Sequence, residues 1–185
     1  IEMATRMKIL AEKKAIELLT EIRNGFAENV RTNFEHRAKS CLTCNTPGAC
    51  CLDEHFVNVR ISRLEAVAIG GVFDSLAAER RETVIERIAD SIERYGLDER
   101  EDPLKTYACP LYEKGTGCLV HLRAKPLPCI QHACYESAAD LPPDELLDQA
   151  EAAVDDLNRR TFARRQPLLA IPTALERFTK LRRTS

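Results

Sequence analysis

All eight cysteines of this chain fall in two short stretches, and none lies elsewhere. Cys41, Cys44, Cys50 and Cys51 form the first stretch; Cys109, Cys118, Cys129 and Cys134 form the second. Thiols gathered in this way crosslink, bind metal or remain as reactive neighbours. In a reducing compartment, clustered cysteines are metal ligands or redox centres more often than disulfides. The chain has no run of roughly 18 apolar residues that could span a bilayer. Its start, Ile1 to Ile16, alternates charged and apolar residues as no secretory leader does. The expectation is a cytoplasmic protein whose eight thiols are candidate metal ligands.

The spacing gives these thiols the reach that a single ion needs. Cys41-x-x-Cys44 lets two thiolates turn toward one ion across a tight loop, as in structural zinc sites with sulfurs at about 2.3 Å from the metal. Asn45-Thr-Pro-Gly48 then forms a turn, Pro47 fixing one φ and Gly48 free to take a positive one, and the chain returns with Cys50 and Cys51. Adjacent side chains on an extended backbone point to opposite faces, so these two serve different positions of a composite site unless the chain turns there. In the second stretch, Cys109 to Cys118 reads as a hairpin turning at Lys114 to Gly117, which folds Cys109 back near Cys118. Pro126 and Pro128 predict an extended approach to Cys129, followed by a short helix from Cys129 to about Tyr135. On such a helix His132 and Cys134 do not both share the face of Cys129, which makes one of them a bystander.

A CxxC motif followed by a CC pair, then Ala108-Cys-Pro-Leu111, Gly117-Cys-Leu-Val-His121 and Lys125-Pro-Leu-Pro-Cys129, resembles the bacterial zinc- or iron-chelating cysteine-cluster proteins of the CxxCxxCC, or YkgJ-like, family. The resemblance covers Cys41 to Cys134, half of the chain. It implies that all eight cysteines belong to one scheme of metal chelation. The family also includes a flagellin lysine N-methylase, so the resemblance implies that activity as a distant alternative. The chain departs from the pattern twice. Five residues separate Cys44 from Cys50 where the family name implies two, and Lys125-Pro126 stands where Arg-Pro is expected, a point charge replacing a planar fork.

Zinc with four thiolates and a common oxidised four-iron cluster with four thiolates carry the same charge, so electrostatics does not separate them. The chain lacks the Cys-x₂-Cys-x₂-Cys and Cys-x₃-Cys-x₂-Cys runs of ferredoxin-type and radical clusters. Zinc is therefore the favoured cofactor, and iron or an iron–sulfur cluster the alternative. Cations would stabilise such an anionic centre, and Lys39, Arg60, Lys105, Arg123 and Lys125 are the candidates. His121 and His132 each follow a cysteine by three residues and could replace a thiol. Eight sulfurs already saturate two tetrahedral ions, however, and His36 and His55 flank the first stretch only loosely.

Periodicity predicts helices around the cysteines. Leu18, Ile22, Phe26, Val30 and Phe34 recur at four-residue steps beside Ala15 and Leu19, a long amphipathic helix in region 1–40. Residues 55–60 alternate β-formers and suggest a short strand. Ser62-Arg-Leu-Glu65 is a capping box opening a helix that ends at Gly70-Gly71. A longer helix from Ser75 to Tyr95 presents Val84, Ile88, Ile92 and Tyr95 and stops at Gly96. Pro143 opens a helix to about Arg165 with Leu146, Leu147, Ala150, Val154 and Leu157 inward. Thr173-Ala-Leu-Glu176 is a second capping box before a terminal helix. The expected fold is mainly α: a helical domain wrapped around an irregular Cys-rich metal-binding core with a short hairpin. Its regions are an N-terminal helix, 1–40, a cysteine-cluster core, 41–135, and a helical C-terminal region, 136–185.

Lys and Arg number 27 against 29 Asp and Glu, leaving −2 and no global basic field for nucleic acid or anionic lipid. Charge is segregated locally. Eight acids and no base lie between Glu136 and Asn158, then eight bases accompany Glu176 from Arg159 to Ser185. The basic end is expected to pair with the chain's own acids, and no aromatic interleaving supports a single-strand groove. A metal ion and a protein are the expected partners; nucleic acid and membrane are not. No Gly-rich phosphate loop, nucleotide fingerprint or G-x-S-x-G elbow is present. The chain reads as a metal-binding cysteine-cluster protein. The alternatives are a metal-dependent enzyme, such as a lysine N-methylase-like transferase or a redox protein, and a zinc-stabilised adaptor for protein or nucleic acid.

Overall fold

Ala15, Leu19, Phe26 and Val30 bury one stripe of helix α1 (Glu12–Asn33). The computed structural model describes residues 9–39, 44–97, 102 and 104–181, and within them the chain is mainly helical. The stripe runs one position off the expected one: Leu19 is buried, whereas Leu18 and Ile22 pack at the rim. Arg23 lies within it and reaches across to the Leu122 carbonyl, at 3.2 Å. The helix stops short of the expected Lys39. Asn33 Nδ2 bonds back to the Asn29 carbonyl at 3.1 Å, a single 3₁₀ turn follows at Glu35–Arg37, and strand β1 (Ala38–Lys39) begins.

Helix α2 (Ala49–Leu52) is one short turn. The strand expected at residues 55–60 is displaced to β2 (Arg60–Ile61), because pairing partners exist only there. The first capping box forms as the sequence predicts. Ser62 Oγ accepts the Glu65 N–H at 3.3 Å and the Glu65 carboxylate accepts the Ser62 N–H at 2.8 Å, opening α3 (Arg63–Phe73). The helix runs through Gly70-Gly71, where a stop was expected. Burial of Ile69, Val72 and Phe73 outweighs a propensity cost of about 1 kcal/mol per glycine. Helix α4 (Ala78–Tyr95) starts later than Ser75, whose hydroxyl instead bonds the Val72 carbonyl at 2.6 Å, and it ends at Gly96 in a left-handed cap with φ 59°.

Beyond strands β3 (Tyr112–Glu113) and β4 (Gly117–Cys118), helix α5 (Leu127–Gln131) and strand β5 (Cys134–Tyr135), the chain forms α6 (Asp144–Phe162), β6 (Leu169–Ala170) and α7 (Ile171–Phe178). Pro143 caps α6 rather than starting it, and Ala163 at φ 55° closes it before Arg165. The second capping box does not form. Helix α7 opens at Ile171 with Pro172 in its first turn, and buried Thr173 donates its hydroxyl to the Leu97 carbonyl at 2.8 Å. Three antiparallel two-stranded ladders, β1–β5, β2–β6 and β3–β4, tie the helices together.

Two apolar clusters hold this arrangement. One joins α3, α4 and α7 with Tyr107, Leu111 and Val120; the other joins α1 and α6 with Leu64 and Leu127. Fully buried Tyr107 donates its hydroxyl to the Val59 carbonyl and accepts the Ile171 N–H at 3.0 Å. Asn158 Oδ1 accepts the Leu64 N–H at 3.0 Å and joins α6 to the start of α3. The acids of α6 meet bases of the same helix, Asp156 bonding Arg159 at 2.8 Å and Arg160 at 3.3 Å. Among the described residues no helix is long and apolar enough to cross a membrane.

Candidate metal centre

The turn before the CC pair is built against the hairpin. Gly48 has φ 81°, and a Cβ there would lie 2.0 Å from Tyr112 Cζ, so only glycine fits both the backbone and the ring above it. Side chains successive on a helix diverge by about 100°. The chain does turn here, therefore, and Cys50 and Cys51 still point apart: Cys51 is drawn under its neighbours while sharing a hydrogen bond with the Cys50 thiol.

Cys51 also anchors the second stretch, because its carbonyl accepts the Cys109 N–H at 2.7 Å. The expected hairpin follows, with Tyr112 opposite Cys118 and the Leu119 N–H donating to the Leu111 carbonyl at 3.0 Å. The helix expected from Cys129 to Tyr135 is corrected. It begins at Leu127 and ends at Gln131, with Pro126 as its cap and Pro128 in its first turn, where the missing N–H has no intrahelical partner to lose. Cys134 has left the helix for β5, where it lies opposite Lys39.

These elements bring Cys51, Cys109, Cys118 and Cys129 into one electrostatic neighbourhood. Burial raises the proton affinity of all four, pushing Cys51, Cys109 and Cys129 up to about 12. Mutual repulsion adds to this. Cys51 feels Cys109 and Cys118, Cys109 feels Cys129 and Cys118, and Cys129 feels Cys118 and Cys51. Cys109 and Cys118 pack on the first apolar cluster, whereas Leu127 and Ile130, flanking Cys129, belong to the second. The four thiols thus sit where the two clusters approach each other.

Among the five cations expected near the centre, Lys125 favours the ionised forms of both Cys118 and Cys129. The others have different bonds. Lys39 meets Glu136 at 3.1 Å, Arg60 bonds the Asp102 carbonyl at 2.9 Å, Lys105 bonds the Gly96 carbonyl at 2.8 Å, and Arg123 bonds Ser75 Oγ. A sixth was missed: Arg87 of α4 favours ionised Cys109. Its only sequence signal is the seven-residue step from Arg80, which puts both guanidiniums on one helix face.

The remaining candidates are dispersed. The Cys44 thiol lies 3.8 Å from Thr46 Oγ1, and Cys41 falls outside the described residues. The His121 N–H donates to the Cys118 carbonyl at 3.1 Å, and its imidazole is lowered in basicity by burial and then by Lys125. Burial and Lys125 likewise lower His132, whose ring centroid stands 5.0 Å from that of Phe56. His36 lies in the 3₁₀ turn after α1, and His55 is exposed. Among the described residues no three His, Cys, Asp or Glu side chains stand as a ready-made ligand group. A cavity of about 480 Å³ lies beside the thiols, lined by Arg60, Glu65, Leu127, Asp148, Glu151 and Arg165 among others; its Glu65 adds to the repulsion felt by Cys129.

No family model matches the chain, and searches of curated proteins and of solved structures find no match either.

Proposed function

We propose that the protein binds a thiophilic metal through Cys51, Cys109, Cys118 and Cys129, with zinc favoured over iron or an iron–sulfur cluster. One observation carries the reading: four thiols from separate segments gather in one buried neighbourhood where each resists ionisation in the presence of the others. A divalent cation at that place reverses the sign of these interactions, since the ligand is the thiolate. The donor set fits the group, being sulfur-only and suited to zinc or iron rather than to magnesium or calcium. The thiols close around the ion as it binds, and zinc then crosslinks α2, the hairpin and α5. Structural zinc in comparable peptides contributes about 10–16 kcal/mol in apparent terms. Cys41, Cys44, Cys50 and Cys134 are the outer thiols, available to a second ion. The resemblance of the eight-cysteine pattern to metal-chelating proteins supports the same reading.

Anaerobic purification, elemental analysis and an absorbance spectrum test it. Colourless protein with zinc, lost from Cys51→Ser and Cys129→Ser and retained in Cys44→Ser, supports the inner set. Iron with visible sulfur-to-iron charge transfer replaces zinc by a cluster. Protein that holds no metal and takes up neither Zn²⁺ nor Co²⁺ overturns the reading.

The cavity beside Cys129 favours a metal-dependent enzyme as the second reading, because a substrate there would lie next to the centre. Calorimetric titration of S-adenosylmethionine into zinc-loaded protein tests its methylase form, and absence of heat at millimolar ligand removes it.

A further inference from the structure

Glu113 on β3 receives two guanidiniums from one face of α4. Arg80 Nη2 donates to Glu113 Oε2 at 2.6 Å and Arg87 Nη2 to Oε1 at 2.8 Å, while Arg87 Nη1 donates to the Tyr112 carbonyl at 3.3 Å. The carboxylate side chain is 19% exposed and that of Arg87 29%, so neither charge is well solvated. One arginine would suffice to anchor the hairpin. Two leave a cation in excess, and the Arg87 Nε–H is buried without a partner, an arrangement that costs about 1–3 kcal/mol when nothing accepts it. Buried unpartnered donors of this kind call for an acceptor. Cys109 is the thiol on which this guanidinium acts.

We propose that Arg87, held by Glu113, is a positioning residue that compensates the negative charge of a metal centre on Cys51, Cys109, Cys118 and Cys129. The inference rests on the metal reading above and adds to it a charge requirement. A divalent ion held by four thiolates carries two negative charges. Lys125 offsets one from the side of Cys118 and Cys129, and the Arg80–Arg87–Glu113 group, with its single excess cation, offsets the other from the side of Cys109. The outer groups of metal sites are worth about 10–100-fold in metal affinity.

The experiment compares Zn²⁺ affinity, by chelator competition, in the full chain and in Arg87→Gln, Arg87→Lys and Glu113→Gln. The Co²⁺ spectrum checks that the same sulfur ligands are used, and melting of the metal-free proteins reports the fold. Arg87→Gln is expected to weaken Zn²⁺ by about tenfold or more with the Co²⁺ spectrum retained, and Arg87→Lys to recover most of that loss. Glu113→Gln loosens the hairpin but leaves both guanidiniums, so it is expected to weaken Zn²⁺ less than Arg87→Gln does. Equal losses in Arg87→Gln and Glu113→Gln, no recovery in Arg87→Lys, or an affinity for Arg87→Gln within about twofold of the parent would overturn the proposal, since outer-shell effects are larger. Should Arg87→Gln fail to fold, Arg87→Lys must still bind Zn²⁺ more tightly than Glu113→Gln. Failure of the unmodified chain to bind Zn²⁺ or Co²⁺ would overturn the metal reading itself, whereas normal binding in the chain and in Arg87→Gln overturns only the charge requirement.

Discussion

Replacing Gly48 by alanine tests whether the turn that delivers Cys50 and Cys51 is built against the hairpin. Residue 48 has φ 81°, where a side chain costs roughly 1–2 kcal/mol. Its Cβ would come 2.0 Å from Tyr112 Cζ and 2.3 Å from the phenol oxygen, so the ring must leave its seat. Forcing atoms into a filled space costs about 1–3 kcal/mol, which brings the expected loss to about 2–5 kcal/mol. The two contributions are separable. In a Tyr112→Ala background only the backbone contribution remains, so a double-mutant cycle should return a coupling of about 1–3 kcal/mol. Urea unfolding of the four metal-free proteins gives all the values needed. A Gly48→Ala penalty below about 0.5 kcal/mol, the range of neutral surface changes, or a penalty unaltered by removing the ring, refutes the close approach.

Tyr107→Phe removes a hydroxyl bonded to the Val59 carbonyl and the Ile171 N–H, and chemical denaturation should show a loss of about 1–3 kcal/mol. Asn158→Ala strands the Leu64 N–H at the start of α3 and should cost a similar amount, about 1–3 kcal/mol, in the same assay. For the metal-free protein, Cys109 and Cys129 are pushed up to about 12 from an ordinary 9.0. A raised folded value contributes stability that is complete below the unfolded value and lost as pH rises through the folded one. Denaturation midpoints should therefore fall above pH 9.0, at up to about 1.4 kcal/mol per pH unit for each thiol, and a flat profile contradicts the burial of these groups.

The legible parts of the fold are those whose causes lie within a few residues. Ser62 and Glu65 cap α3, Gly96 ends α4, and the glycines after Lys114 turn the hairpin, because each rests on a local dihedral or a bond across one helical turn. Expectations failed where distant contacts competed. Thr173 looks like a helix cap but bonds Leu97, and Gly70-Gly71 looks like a stop but lies beside buried Ile69, Val72 and Phe73. Pro128 looks like a barrier to helix but occupies the first turn of α5, because the cap falls at Pro126.

At the candidate site, the chain alone marks the eight cysteines, the hairpin that returns Cys118 toward Cys109, and Lys125 as a neighbouring cation. Spacing encodes reach along the backbone, and that suffices for residues joined by a short turn. Only the folded chain decides that Cys51 joins Cys109, Cys118 and Cys129 while Cys50 points away, and that Arg87 comes from α4 to face Cys109. Those choices depend on how two apolar clusters, assembled from segments far apart in the sequence, bring α2, α4, the hairpin and α5 to one place. Burial and charge at a thiol are properties of that assembly, and local periodicity carries no record of them.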